Sequence, residues 1–279
     1  MWGATPGPPF QAAPASRNDE RRAYRLIREF EKWIEVTEPE CDLTHRMSLS
    51  NIMRHTQQMG SDHIAREGIT YERMQRDGMV FLVNKMLITI KRRPIYAERL
   101  RLITVPRAPK GAQFIRDTYF DTKQGERLVE TSISWILADP CTHRILRPAA
   151  FDIYGLEMFP NDGEYITAYR IKKPDAAGVR HMRQIKYSDL DSNSHVNNAV
   201  YADIVCDTLP LDWLVEREIE RFGIVYQKEA VTGQVIELDT VQISQCAYYV
   251  GGMAGDGRCF EAEINFTEKG ELQVKLRKK

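Results

Sequence analysis

The sequence predicts an α+β protein built from two similar halves. Each half contains one segment with helical periodicity, at residues 48–65 and 195–208, and a run of segments with strand character follows it. Turn sequences rich in Gly and Asp separate these strands, as in antiparallel sheets. Because a single helix buries its apolar face well when a curved sheet wraps it, we expect each half to be a long central helix wrapped by a curved antiparallel sheet.

The order of the elements is the same in both halves. In the first half the period changes from helical to strand-like after Asp77-Gly78, and Gly60 inside the helix predicts close packing against it. The predicted strands lie at 29–38, 79–91, 98–105, 112–121 and 127–138 in the first half, and at 179–187, 218–227, 234–246, 258–266 and 271–276 in the second.

Turn and linker sequences divide the chain into three parts. Residues 1–22 form a predicted disordered tail, because its first 16 residues carry prolines and no charge. The first helix-and-sheet unit is expected at 23–157, and a linker followed by the second unit at 158–279. Within the second unit, Gly251-Gly252 predicts a loop between two strands.

Composition excludes several classes of protein. Lysine plus arginine number 39 and aspartate plus glutamate also number 39, so a globally basic nucleic-acid binder is not expected. No apolar run reaches the roughly 18 residues that span a membrane. The five cysteines are scattered without a CxxC pair, so we expect no disulfide scaffold, no zinc site and a cytoplasmic location. We assign no metal and no other cofactor.

A polar loop before the second helix is the strongest functional signal. Asp191, Asn193 and His195 alternate there, and each offers a side chain that accepts, donates or moves a proton. Each also has an ordinary role, because Asp and Asn favour turns and caps and a single His is often structural. Glu229, after the strand at 218–227, adds a carboxylate whose ordinary alternative is a solvated charge.

Alignment of the halves makes this loop asymmetric. The match joins Asp42 with Asp189. In this register the three polar residues of the second half correspond to Thr44, Arg46 and Ser48 in the first. The polar set then exists in the second half alone, as expected if one active site has been kept and the other lost.

These residue types suit hydrolysis of an acyl thioester. A carboxylate or an imidazole takes the proton from water, and backbone amides at a helix start stabilise the oxyanion. In one hypothesis Asp191 and Glu229 hold and deprotonate the water. Asn193 and His195 then position the water and the acyl carbonyl. The other makes His195 the base. The residues alone do not rank the two.

The chain resembles the acyl-acyl carrier protein thioesterases of plants and bacteria over most of residues 25–275. Their active-site signature is matched by DxNxHVNNxxY, which begins at Asp191, and the segments 135–137 and 224–229 extend the match. The resemblance implies a tandem double-hotdog fold. It also implies hydrolysis of fatty acyl groups from the phosphopantetheine thiol of the carrier protein, without a cofactor. The catalytic residues that it implies are Asp191, Asn193, His195 and Glu229.

One position departs from the plant members, which carry a Cys directly after the acidic residue. This chain has Ala230 there, and neither Cys206 nor Cys246 takes that place in the motif. A cysteine–histidine acyl-enzyme route is therefore not available from this motif. Direct attack by water is the expected mechanism.

The family likeness also predicts where the substrate lies. The acyl chain is expected in an apolar tunnel of the first half, and the acidic carrier protein on a basic surface. Each tunnel candidate has an ordinary alternative as core, and each cation as a solvated charge. The tunnel candidates are Met53, Met59, Phe81, Val83, Met86 and Trp135. The docking candidates are Lys91, Arg92, Arg93, Lys172 and Lys173.

Other functions fit the same pattern less well. Hydrolysis of acyl-CoA is the nearest, because hotdog folds accept both carriers. A hotdog dehydratase would need a His and an acid arranged for β-elimination, and no such signature is present. Ala230 leaves open the alternative of a non-catalytic module that binds acyl carriers, but the retained polar residues argue against it. We expect a monomer or a homodimer.

Overall fold

The computed structural model describes residues 25–160 and 165–268. The predicted tail at 1–22 and the predicted last strand at 271–276 lie outside these described residues. Ten strands of the described chain form one sheet in which neighbours are antiparallel, and two further short strands pair with each other. No helix in this part of the chain is both long and apolar enough to cross a membrane.

The elements follow the predicted order. The first half comprises β1 (Arg25–Leu26), β2 (Phe30–Glu35), α1 (Leu49–Arg66), α2 (Tyr71–Arg76), β3 (Val80–Ile90), β4 (Arg99–Lys110), β5 (Gln113–Thr122) and β6 (Arg127–Ala138). The connection contains β7 (Leu156–Glu157) and α3 (Tyr165–Ala168). The second half comprises β8 (Val179–Gln184), α4 (Val200–Asp207), α5 (Leu211–Glu216), β9 (Ile219–Tyr226), β10 (Val235–Ser244), β11 (Ala247–Ala254) and β12 (Gly257–Phe266).

The two halves join where β3 pairs with β9. The strand order is β2-β4-β5-β6-β3-β9-β12-β11-β10-β8, so each half contributes five neighbouring strands. Leu87 pairs with Gly223 at the middle of this junction. Helix α1 packs against the first half of the sheet and also contacts α4. The structure therefore confirms the predicted α+β fold, with two central helices and two half-sheets joined edge to edge.

One hydrophobic core extends through both halves. Ile52 of α1 and Ile204 of α4 are almost fully buried, in the same cluster as Ile88 of β3 and Phe222 of β9. Burying a side chain of this size stabilises the fold by about 1.5–3 kcal/mol. The two central helices are thus held by one shared core, which fixes the position of the second half relative to the first.

Gly251 and Gly252 lie inside strand β11, so the prediction of a loop there is wrong. Gly252 pairs with Leu238 on one side and with Phe260 on the other. A Cβ atom added at Gly252 would overlap the ring of Phe260. These glycines mark the close approach of an aromatic ring to a strand. The sequence also fails to predict α2 and α5, because six residues are too few to show a helical period.

The second central helix begins at Val200, five residues later than predicted. Asn197 ends the preceding turn, because its backbone oxygen accepts from Val200 N–H at 2.9 Å. The side-chain Oδ1 of Asn197 accepts from Ala199 N–H at 2.9 Å. Asn side chains that bond nearby backbone in this way compete with helix formation. The amides of Ala199 and Val200 are therefore already bonded.

The connection between the halves is fixed on the sheet by Lys85 of β3. Its Nζ donates to the backbone oxygens of Thr167 and Tyr169, both at 3.2 Å. Burial, and then the charge of Arg170, lower the pKa of Lys85 to about 8. The linker therefore crosses the junction of β3 and β9. The domain boundary at 157/158 stays a prediction.

Candidate active site

The loop at 191–195 is closed by its own backbone. Asp191 N–H donates to the backbone oxygen of His195 at 2.8 Å, and Ser194 has a φ of 64°. The side-chain Oδ1 of Asp191 accepts from Asn193 N–H at 2.8 Å and from His195 N–H at 3.3 Å. Asp191 thus shapes the loop by satisfying amides that would otherwise be unpaired.

His195 and Glu229 form a pair at the open end of this loop. Nε2 of His195 lies 3.4 Å from Oε2 of Glu229, and their side chains are 35% and 51% exposed. The backbone holds them together, because Val196 N–H donates to Ala230 O at 2.9 Å and His195 forms a bridge with Val231. An imidazole and a carboxylate therefore lie within reach of each other at a position that water can enter.

A cleft of about 190 Å³ contains the predicted catalytic residues. Its lining includes all four of them, the end of β9, and Phe81, Leu82 and Val83 from the start of β3. Both halves therefore build the cleft. The sequence does not predict Leu82 or Lys228 as lining residues, because neither belongs to the polar pattern.

An apolar cavity of about 310 Å³ adjoins the cleft in the first half. Phe81 lines both spaces. The cavity lies between the last turns of α1, helix α2 and the sheet, and Trp135 and Phe114 form part of its wall. Its volume and apolar lining are typical of a site for an aliphatic ligand.

The tunnel predictions divide into three groups. Phe81 and Trp135 line the cavity, and Val83 lines the cleft. The three methionines do neither: Met53, Met59 and Met86 are at most 2% exposed and belong to the shared core. Their assignment to the cavity wall is not supported. Open space exists instead beneath the last turns of α1, where the side chains are small, at Gly60, Ser61 and Ala65.

A buried arginine forms one wall of this cavity. Burial lowers the pKa of Arg116 to about 10. Its Nη1 donates to Nδ1 of His63 at 3.1 Å and to Oγ1 of Thr104 at 3.3 Å. A Cβ at Gly60 would lie 3.2 Å from Cδ of Arg116. Gly60 therefore makes room for this side chain, as the close packing predicted there requires.

His63 predicts a loss of stability in acid. Burial, and then the charges of Arg116 and Arg66, lower its pKa from 6.5 to about 4. The unfolded chain binds the proton near pH 6.5 and the folded chain only near pH 4, so stability is lost as the pH falls through this window. We expect the free energy of unfolding of wild type to fall by about 2 kcal/mol more than that of His63→Gln when the pH is lowered from 7 to 4.5, as measured by urea unfolding. Equal losses in the two proteins would contradict this.

Comparison of the loops corrects the register between the halves. In the first half, Asp42 N–H donates to Arg46 O at 2.8 Å, and Asp42 Oδ1 accepts from Thr44 N–H at 2.8 Å. His45 has a φ of 56°, as Ser194 does of 64°. Asp42 therefore corresponds to Asp191. Thr44 corresponds to Asn193 and Arg46 to His195, and the predicted register is wrong by two residues.

The equivalent of Glu229 in the first half is Arg93. Met47 N–H donates to Pro94 O at 2.7 Å, just as the corresponding amide of the second half donates to Ala230 O. The first half thus keeps the loop-shaping aspartate but replaces the imidazole and the carboxylate by two guanidinium groups, those of Arg46 and Arg93. The asymmetry persists in this corrected form, and Asp191 gains a structural role that both halves share.

Four charged side chains fill the place of the cleft in the first half. Arg93 is 2% exposed and contacts Asp42. Arg46 Nη2 lies 3.0 Å from Glu218 Oε1, and Arg93 Nε faces Glu218 Oε2 at 3.8 Å, beyond hydrogen-bond reach. Burial raises the pKa of Asp42, but Arg93 beside it holds that pKa below its usual value overall. We call this group of Asp42, Arg46, Arg93 and Glu218 the ion cluster.

The ion cluster also corrects the docking prediction. Arg93 is buried and cannot contact a carrier protein, so its assignment is wrong. Lys91 and Arg92 pair with Glu126 and Glu98. They follow the end of β3 that is roughly 30 Å from the cleft, at about 3.3 Å per residue. Lys172 and Lys173 are exposed and stay predictions.

All five cysteines are free, and none of them lines the cleft. Ala230 is fully buried beneath the loop. In the part of the chain that the structure describes, no group of three or more His, Cys, Asp or Glu side chains is arranged to hold a metal ion. The cleft therefore contains no cysteine that could act as a nucleophile.

The fold and the cleft together define the class of protein, a tandem double hotdog with one polar cleft. A model of the acyl-ACP thioesterase N-terminal domain matches residues 28–150, and one of the acyl-ACP thioesterase C-terminal domain matches residues 172–268. The chain belongs to the acyl-ACP thioesterase family.

Curated relatives agree with this assignment. The chain is 24% identical to a chloroplastic palmitoyl-acyl carrier protein thioesterase of Gossypium hirsutum, over 71% of this chain and 51% of the relative. It is 23% identical to a dodecanoyl-[acyl-carrier-protein] hydrolase of Cinnamomum camphora, over 85% and 63%. The chain spans about half the length of several curated relatives that it matches.

Two solved structures share the fold. A 12:0-ACP thioesterase from Umbellularia californica superposes with a TM-score of 0.77 at 19% identity, covering 86% of this chain and 98% of that one. An acyl-ACP thioesterase from Bacteroides thetaiotaomicron superposes with a TM-score of 0.73 at 17% identity, with the same coverage of both chains. At these identities the likeness establishes the fold alone.

Proposed function

We propose that this protein hydrolyses the thioester of fatty acyl-acyl carrier proteins and releases the free fatty acid. The observation that supports this most strongly is the pair of His195 and Glu229, 3.4 Å apart, in a cleft that meets an apolar cavity at Phe81. The cavity accepts the aliphatic chain while the thioester lies in the cleft. Family membership supports the same reaction.

In the proposed mechanism, water attacks the thioester carbon directly. The pair of Glu229 and His195 takes the proton of the water, and the carbonyl oxygen becomes an oxyanion. The C–S bond then breaks, the carbonyl re-forms as a carboxylic acid, and the pair returns the proton to the carrier thiolate. The products are a fatty acid and a free phosphopantetheine thiol.

Asn193 is the proposed donor to the oxyanion. Two of the helix-start amides expected to do this, those of Ala199 and Val200, are already bonded to Asn197. Asn193 lines the cleft. A donor already in place where negative charge develops stabilises the transition state without reorganisation. Asp191, whose Oδ1 is bonded to two loop amides, acts by holding the loop.

A comparison of two carriers tests the proposed substrate. One acyl group is presented on acyl carrier protein and on CoA, and free fatty acid is measured. We expect the carrier-protein substrate to give the higher kcat/KM, because contacts outside the cleft add to transition-state binding. A higher value with CoA would favour the acyl-CoA alternative. Binding without release of fatty acid would favour the non-catalytic module.

The wall of the cavity predicts a change in chain length. Phe114, Phe151, Leu156 and Met158 separate the cavity from an outer groove of about 660 Å³, which they also line. Met158 is only partly buried. Shortening it is expected to join the two spaces. Each further buried methylene contributes about 0.8 kcal/mol, so two more raise kcat/KM about tenfold.

The experiment is product analysis of Met158→Ala with a series of saturated acyl-carrier proteins. We expect longer fatty acids among its products than with wild type. Met182→Ala is the control, because Met182 is an exposed methionine of β8 and lines neither space. An unchanged product distribution in Met158→Ala would show that this wall does not limit the chain.

The carrier protein is the proposed partner, and its docking surface is proposed to include Lys172 and Lys173. Both lysines are exposed, and Lys173 lines a groove with Arg180 and Arg258, which also contains Glu237 and Asp239. Arg258 pairs with Glu261, which in turn accepts from Gln227 of the cleft at 2.9 Å. The groove is therefore near the cleft, unlike Lys91. A cytoplasmic location and a monomer or homodimer remain part of this proposal.

A further inference from the structure

Helix α2 lies between the cavity and the catalytic loop. Tyr71 is its first residue and lines the cavity. The hydroxyl of Tyr71 donates to Oδ1 of Asn193 at 2.7 Å. This hydrogen bond joins the first half, which holds the cavity, to the loop of the second half.

A second hydrogen bond supports the direction of this one. Nε2 of Gln75 donates to the hydroxyl oxygen of Tyr71 at 2.9 Å. Gln75 thus occupies a lone pair of that oxygen and leaves its proton for Asn193. That proton is directed at Oδ1 of Asn193, and this contact orients the amide group. Its Nδ2 is left as a donor, and among the described residues no group accepts from it.

We propose that Tyr71 is a positioning residue that holds the Asn193 amide with its Nδ2 directed at the thioester carbonyl. This inference rests on the proposed function, because it gives Asn193 a role in the hydrolysis. The Asn193 side chain is exposed, so without the hydroxyl it rotates and presents oxygen as readily as nitrogen. An oxygen there repels the oxyanion.

The same residue links occupancy of the cavity to the loop. The ring of Tyr71 forms part of the cavity wall, while its hydroxyl contacts Asn193. An acyl chain that packs against the ring therefore restrains the group that holds the amide. Chains that fill the cavity as far as Tyr71 are expected to gain more from the hydroxyl than a short acetyl group does.

A double-mutant cycle tests the proposal. Tyr71→Phe keeps the ring in the cavity and removes the hydroxyl. We expect it to lower kcat about tenfold with little change in KM, part of the roughly 10²–10³-fold that an oxyanion donor contributes. Asn193→Ala is expected to lower kcat more. If Tyr71 acts through Asn193, Tyr71→Phe has no further effect in the Asn193→Ala background.

Tyr154→Phe is the matched control. The Tyr154 hydroxyl donates to Oδ2 of Asp77, just after the other end of α2, at 2.8 Å, and Tyr154 does not line the cavity. We expect its kcat to equal that of wild type. A wild-type kcat in Tyr71→Phe, or losses that multiply in the double variant, would overturn the inference.

A second measurement separates this inference from the proposed function. The side-chain amide resonances of Asn193 are recorded by NMR in wild type and in Tyr71→Phe. We expect them to shift and broaden in the variant, whether or not the protein turns over. If wild type releases no fatty acid, the proposed function fails, and unchanged Asn193 resonances would in addition overturn the positioning by Tyr71.

Discussion

Glu229→Gln is expected to lower kcat for acyl-carrier protein hydrolysis by about 10²–10⁴-fold, the usual contribution of general acid–base catalysis. Gln keeps the size of the side chain but cannot take a proton from water. Glu229 is half exposed, and its carboxylate pairs with the imidazole of His195. The free energy of unfolding should therefore change little, so the loss belongs to the chemical step.

His195→Ala is expected to cost a similar factor. Because the two side chains act as one pair, the double variant should lose little more than either single variant. Asp191→Asn should lose less, since Asn keeps an oxygen that accepts from the amides of Asn193 and His195.

The matched control is Glu220→Gln, an exposed carboxylate near the other end of β9. Its kcat should equal that of wild type. The measurement is steady-state release of fatty acid by each purified variant, with thermal unfolding to show that each is folded. Near-wild-type turnover in Glu229→Gln would remove the pair from the mechanism.

Arg93→Met is expected to lower the free energy of unfolding by about 3 kcal/mol. The substitution leaves Asp42 without its ion-pair partner and removes one of the two cations near Glu218. Buried charges that lose a partner keep their desolvation cost and lose its compensation. Because the ion cluster joins residues of both halves, its disruption should weaken the fold as a whole.

Urea unfolding measures this effect. Lys91→Ala is the control, because the pair of Lys91 and Glu126 is exposed and such pairs contribute about 0–1 kcal/mol. If the Arg93→Met variant folds, its kcat should equal that of wild type, because the ion cluster is at the opposite end of β3 from the cleft. A free energy of unfolding equal to that of wild type would show that apolar packing replaces the ion cluster without loss.

The sequence predicted the architecture because its signal is strong. Eighteen residues of α1 and strands of about ten residues show their periods clearly. The register between the halves was wrong for a physical reason. Asp42 was matched with Asp189, yet Asp42 bonds loop amides whereas Asp189 accepts from Lys186 N–H and pairs with Arg183. A shift of two residues preserves the alternation of inside and outside, so hydrophobic pattern cannot detect it.

The motif predicted the cleft but not its surroundings. The four polar residues lie in one space because a single loop and the segment after β9 carry them. The cavity is the space left between α1, α2, the sheet and the linker after they pack. No local sequence pattern predicts that space. The sequence does not single out Tyr71, because it belongs to a six-residue helix. The fold alone brings it to Asn193, which is far away in the sequence.

A single-turnover reaction in ¹⁸O-labelled water tests the central claim most directly. Protein in excess is mixed with a saturated acyl-carrier protein, and the fatty acid and the peptide containing Glu229 are analysed by mass spectrometry. Direct attack by water predicts release of fatty acid carrying one ¹⁸O atom, with Glu229 unlabelled. Label in Glu229, or no release of fatty acid by the folded protein, would contradict the account.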